Sequence, residues 1–84
     1  MTRLVYFAWV RERIGKPDET VILPDSVKNV SDLLAWQQER GDEYAYAFEN
    51  ARLIRVAIDK KHARHDALLG DASEIAFFPP MTGG

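Results

Sequence analysis

Both ends of this 84-residue chain are written in strand-forming residues. Thr2–Val10, "TRLVYFAWV", and Glu74–Pro79, "EIAFFP", are rich in β-branched and aromatic side chains, which suit a pleated, half-buried surface. A chain this short has one small interior and no room to spend two such runs outside it. The N-terminal and C-terminal strands must therefore share a core, and the segments between them must complete it.

Those segments follow a readable order. Arg11–Gly15, "RERIG", reads as one helical turn stopped by its glycine. Glu19–Pro24, "ETVILP", reads as a second strand closed by proline. Asn29 stands where a helix N-cap belongs, with Asp32 three residues on to complete a capping box. Val30, Leu33, Leu34 and Gln37 follow at helical spacing, which predicts a main helix over Val30–Arg40 with Gly41 as its C-cap. A shorter helix is expected over Asp42–Asn50, a third strand over Arg52–Ile58 and a weak fourth near His62–Arg64; "LLGDAS" is a loop. One main helix among strands in the order β-β-α-β-β-β implies an α+β roll, a mixed sheet of four to five strands curled over that helix. The terminal strands would lie side by side at its centre.

Composition narrows the function. Hydrophobic residues make up 46% and charged residues 29%, and the net charge is -2, so there is no basic footprint and nucleic acid is not an expected partner. The absence of cysteine removes disulfides, thiolate metal sites and a cysteine nucleophile. The N-terminus has no signal-peptide pattern, and no apolar run approaches the roughly 18 residues of a spanning helix. A cytoplasmic chain with no membrane partner is expected.

Side chains suited to catalysis are sparse. His62 and His65 lie three apart in a polar edge segment without an evident third ligand, so they read as solvent-exposed and no metal site is expected. Asp71 and Glu74 flank a loop without a partner base, and Ser26, Ser31 and Ser73 sit in no nucleophile motif. "RER" with "KP" and "DKK" with "HARH" read as solvated charge runs. No self-contained active site and no bound cofactor are expected.

The end of the chain stands apart. Pro79 and Pro80 cannot continue a strand ladder and favour extended geometry. They would carry Met81, Thr82, Gly83 and Gly84 away from the sheet. Two residues without Cβ fit a channel too narrow for any other side chain. The reading is a domain over residues 1–78 and an extended arm over residues 79–84 that presents a carboxylate at a distance. Strand alternation adds a docking face. If Leu4, Tyr6 and Ala8 point to the helix, Val5 and Phe7 point away; if Ile75 and Phe77 point inward, Phe78 points away. Phe7, Phe78 and Val5 are the expected partner-binding residues.

Two segments carry a resemblance. "FAWVRERIG" (Phe7–Gly15) and "GDASEIAFFPPMTGG" (Gly70–Gly84) resemble the MoaD family, the small sulfur-carrier subunits of molybdopterin synthase, whose pattern is roughly F-A-x-x-R-E-x-x-G and F-x-P-P-V-[ST]-G-G. Met81 stands where valine is commoner. The resemblance implies a β-grasp, ubiquitin-like fold. It also implies that an adenylating enzyme of the ubiquitin-activating type uses ATP to activate the Gly84 carboxylate, which then becomes a thiocarboxylate. The large synthase subunit would take in the arm, and sulfur would pass to cyclic pyranopterin monophosphate. The family places an apolar residue on the fourth strand of the docking face, at a position that here falls near His62. The alternatives are a sulfur carrier of another pathway, such as thiamine thiazole synthesis, and a ubiquitin-like protein modifier.

Overall fold

The computed structural model describes residues 1–80. Its elements run β1 (Thr2–Tyr6), α1 (Ala8–Ile14), β2 (Asp18–Val21), α2 (Val30–Gln38), α3 (Asp42–Ala47), a 3-10 turn (Ala51–Leu53), β3 (Arg55–Ile58), β4 (Lys61–Ala63) and β5 (Glu74–Phe78). The strands form one mixed sheet in the order β2-β1-β5-β3-β4. The terminal strands do lie side by side, with β5 in the middle. They run parallel, in register from Arg3↔Glu74 to Tyr6↔Phe77, while the other pairings are antiparallel.

The core follows from alternation along those strands. Leu4, Tyr6, Val56, Ile75 and Phe77 share the inner face and are all essentially solvent-free. The helices close over them, with Val10 and Ile14 from α1, Val30, Leu33 and Leu34 from α2, and Tyr44 and Ala47 from α3. Each large apolar side chain removed from water contributes about 1.5–3 kcal/mol, so this shared interior is what holds the elements together.

The capping box forms as the sequence requires. Asn29 Oδ1 accepts from the Asp32 amide at 2.8 Å, and Asp32 Oδ2 accepts from the Asn29 amide at 3.3 Å. Gly15 closes α1 in the left-handed conformation, φ 91.

Several boundaries differ from the sequence reading. The first strand stops at Tyr6 rather than Val10. Ala8 adopts φ 51, a left-handed conformation that breaks the pleat and turns the chain into α1. Aromatic and β-branched composition hid the helical spacing of Val10 and Ile14, which α1 buries four residues apart. Ala8 is thus a helical residue at the surface, not an inward strand residue. The second strand is Asp18–Val21, so "ILP" leaves the sheet. The main helix ends at Gln38 with Glu39 as C-cap, and Gly41 instead precedes α3 as its N-cap. The second helix stops at Ala47, the third strand begins only at Arg55 after the 3-10 turn, and the fourth spans Lys61–Ala63. No helix among the described residues is long and apolar enough to cross a membrane.

Candidate functional site

Parallel pairing of β1 with β5 sends both strands out at the same end of the sheet. There the Phe7 amide donates to the Phe77 carbonyl at 3.0 Å, the last rung between them. On the other side the β3–β5 ladder begins at Arg55↔Phe78. Pro79 and Pro80 follow, half-buried and outside any strand, because neither has an amide proton to donate. The base of the arm is therefore held by two neighbouring strands at once. Met81, Thr82, Gly83 and Gly84, which include the expected sulfur-bearing terminus, lie outside the described residues.

The outer face of the sheet can be read across the register. One row runs Val5, Ala76, Ala57 and His62 from β1 through β5 and β3 to β4. Two alanines at its centre make it shallow. The row nearest the arm holds Phe78 beside Arg55, with Phe7 one step beyond the Tyr6↔Phe77 pair.

The expected docking residues are placed as follows. Val5 is half-buried on the outer face. Phe7 is exposed, 47% of its surface, but it is the N-cap of α1 rather than a strand residue. Phe78 points outward and is half-buried, with its ring meeting His62 edge-on at 5.3 Å and 83°. The chain thus sets an imidazole against Phe78, next to the small residues of the outer face.

The two histidines differ, which the sequence reading did not anticipate. His62 is exposed apart from its contact with Phe78. His65 is half-buried, not solvent-exposed. Its Nε2 lies 2.8 Å from the Ile54 carbonyl, and since a carbonyl only accepts, that nitrogen carries the proton. The His65 carbonyl in turn accepts from the amide and hydroxyl of Ser31 at 2.9 and 3.0 Å, tying the segment after β4 to the start of α2. His65 is a structural residue.

Sequence reasoning also missed a polar cluster that fixes the edge strand β2. Glu19 accepts from Tyr6 Oη at 2.6 Å, from Tyr44 Oη at 2.8 Å and from both terminal nitrogens of Arg40. Fully buried Gln37 joins it, donating to Tyr6 Oη at 3.0 Å and accepting from Arg40 at 2.8 Å. Burial alone would raise the Glu19 carboxyl, but hydrogen bonds from Arg40, Tyr6 and Tyr44 outweigh it and hold the group at about 2. Burial, reinforced by the bond to Glu19, pushes the Tyr6 hydroxyl well up. The five side chains come from β1, β2, α2, α3 and the loop after α2, a pattern that sequence spacing does not reveal. The cluster works as a clamp on the fold; no member reaches the outer face that borders the arm.

Comparison with known proteins agrees with this architecture. The family model described as "ThiS family" matches residues 4–84. The molybdopterin synthase sulfur carrier subunit of Escherichia coli (strain K12) is 36% identical over 84 residues, all of both chains, and that of Haemophilus influenzae is 33% identical, again over the whole of both. Among solved structures, a Pyrococcus furiosus protein assigned as molybdopterin converting factor, subunit 1, superposes with a TM-score of 0.73 at 22% identity, covering 95% of this chain and 97% of that one. SAMP1 from Haloferax volcanii gives 0.70 at 23% identity, covering 99% and 98%. These likenesses establish the β-grasp fold.

Proposed function

We propose that this chain, which belongs to the ThiS family, is the sulfur carrier subunit of a molybdopterin synthase, with the large synthase subunit as its partner. The observation that carries the proposal is 33–36% identity over the full length of two proteins of that name, coupled to a central strand whose last residue, Phe78, leads into Pro79 and Pro80 at the edge of an open sheet face.

The physical logic is that of a carrier. A carboxylate is a poor electrophile, so an adenylating enzyme spends ATP to turn the Gly84 carboxylate into an acyl-adenylate. A sulfur nucleophile then displaces AMP and leaves a thiocarboxylate. The arm brings that group to the large subunit, where sulfur passes to cyclic pyranopterin monophosphate. The carrier contributes reach, a narrow backbone at Gly83 and Gly84, and a docking face; the partners contribute the catalytic side chains and bind the ATP. The work takes place in the cytoplasm.

Intact-mass measurement tests this directly. Purified chain incubated with an adenylating enzyme, ATP and a sulfur source should exchange one oxygen for one sulfur, and the modified chain should give up that sulfur in the presence of the large subunit and the pterin. An unchanged mass under conditions that load the Escherichia coli relative would overturn the proposal.

A further inference from the structure

Charge is unevenly distributed along this chain, and the fold concentrates the excess beside the arm. The whole protein carries 11 Lys and Arg against 13 Asp and Glu, yet residues 52–65 hold Arg52, Arg55, Lys60, Lys61 and Arg64 against the single carboxylate Asp59. Asp59 is committed elsewhere. Its Oδ1 accepts from the Ser73 and Glu74 amides at 3.1 and 3.0 Å, at the end of β5 away from the arm.

The near end is left cationic. Arg55 pairs in register with Phe78, the last strand residue before the arm, and Arg64 lies one residue past the Val56↔Ala63 pair, so the two arginines are neighbours across β3 and β4. Both are exposed. Among the described residues, Arg52 and Arg55 have no carboxylate within ion-pair distance, whereas Arg13, Lys16 and Arg40 each have one and Arg3 has two. Arg64 approaches Asp66 only at 3.9 Å with both groups largely in water, a pairing of little energetic weight. Arg52, Arg55, Arg64, His62 and His65 line an open concavity of about 360 Å³ whose lining contains no carboxylate.

We infer that the Arg55–Arg64 corner is an electrostatic docking site for a carboxylate-bearing patch on the large synthase subunit, set beside the entrance that receives the arm. The inference rests on the function proposed above and adds the chemistry of the partner surface. Two arguments select this occupant: charge complementarity, since guanidinium groups with no strong carboxylate partner among the described residues match carboxylates bidentately, and continuity with the outer face through the Arg55↔Phe78 rung. Exposed charge at the rim of an interface steers encounter more than it adds affinity, which suits a carrier that must dock, deliver and leave.

The test is the association rate of the purified large subunit with the full chain at low and high salt, for wild type, Arg55→Glu/Arg64→Glu and Phe78→Ala. The double reversal should slow association about 10-fold or more at low ionic strength, and the difference should collapse when salt shortens the screening length to about 3 Å. Phe78→Ala should instead speed dissociation at both salts. Should the reversed pair fail to fold, Arg55→Gln/Arg64→Gln gives the same reading with a smaller effect. Wild-type binding with an unchanged rate and salt slope in the charge variants overturns the inference and leaves the proposed function standing. A wild-type chain that does not bind the large subunit at all overturns both. Self-association of the wild-type chain that is lost on charge reversal would assign the corner to a second copy and likewise overturn the inference.

Discussion

Glu19 on the edge strand and Arg40 just past the main helix are joined by two parallel hydrogen bonds of 2.8 and 2.9 Å. The pair is mostly shielded from solvent, and Tyr6 and Tyr44 donate to the same carboxylate. Removing one partner of such a cluster leaves the others unsatisfied, so the clamp is sensitive to a single proton.

Its pH dependence has a definite sign. Glu19 titrates at about 2 in the folded chain against 4.5 for an ordinary glutamate, so the unfolded chain takes up its proton first as pH falls. The stabilisation is complete above about pH 5 and drains away between there and pH 2, amounting to on the order of 3 kcal/mol. Thermal melts of wild type and Glu19→Gln should show the variant already destabilised at pH 7 and the gap narrowing toward pH 2. A gap that is constant with pH would mean that the charge on Glu19 contributes nothing.

The turn between β3 and β4 offers a gain of stability. Asp59 and Lys60 both have positive φ, 47 and 72, in a two-residue hairpin loop closed by Ile58↔Lys61. That geometry is the one Asn-Gly or Asp-Gly favours, and a lysine there is strained where glycine is not. Lys60→Gly should raise stability by about 0.5–1 kcal/mol in denaturant unfolding, with arm-dependent sulfur transfer unchanged. A loss of stability would show that the lysine stem packs usefully on the sheet.

The arm itself is tested by its last two residues. Deleting Gly84, or extending the chain past it, should abolish thiocarboxylate formation while leaving the melting temperature unchanged, because the proposed chemistry draws on the terminal carboxylate alone. Gly83→Ala should slow loading or transfer although the carboxylate survives, since a Cβ must be accommodated where bare backbone passes. Wild-type rates for Gly83→Ala with both partners would refute the narrow-channel argument.

How far the sequence reveals this protein depends on whether the relevant signal is local. The capping box at Asn29 and Asp32, the buried stripe of α2 and the inward alternation of Ile75 and Phe77 are local patterns, and each reappears in three dimensions. The start of α1 was masked because one left-handed residue, Ala8, ends a strand whose composition continues past it. The Glu19 clamp and the Phe78–His62 contact depend on pairings between distant segments, which no periodicity reports. "HARH" reads only as a solvated charge run and Arg55 only as a strand residue; the register that sets Arg55 against Phe78 and beside Arg64 is what the sequence does not carry.

That register makes Phe77 and Phe78 a paired experiment. Phe77 is solvent-free, stacked on Tyr6 at 5.6 Å and met edge-on by Phe48 at 5.4 Å. Phe77→Ala should cost about 3–5 kcal/mol, a large part of the stability of a domain this size, with only an indirect effect on partner binding. Phe78 faces out against His62, so Phe78→Ala should cost the isolated domain much less and weaken binding to the large subunit by about 1–3 kcal/mol. Phe7→Ala belongs with Phe78 in this comparison, because its ring is exposed at the same end of the sheet. Melts of the three variants beside their affinities decide the matter. If Phe78→Ala unfolds the domain while Phe77→Ala is silent, the two faces of β5 have been assigned the wrong way round.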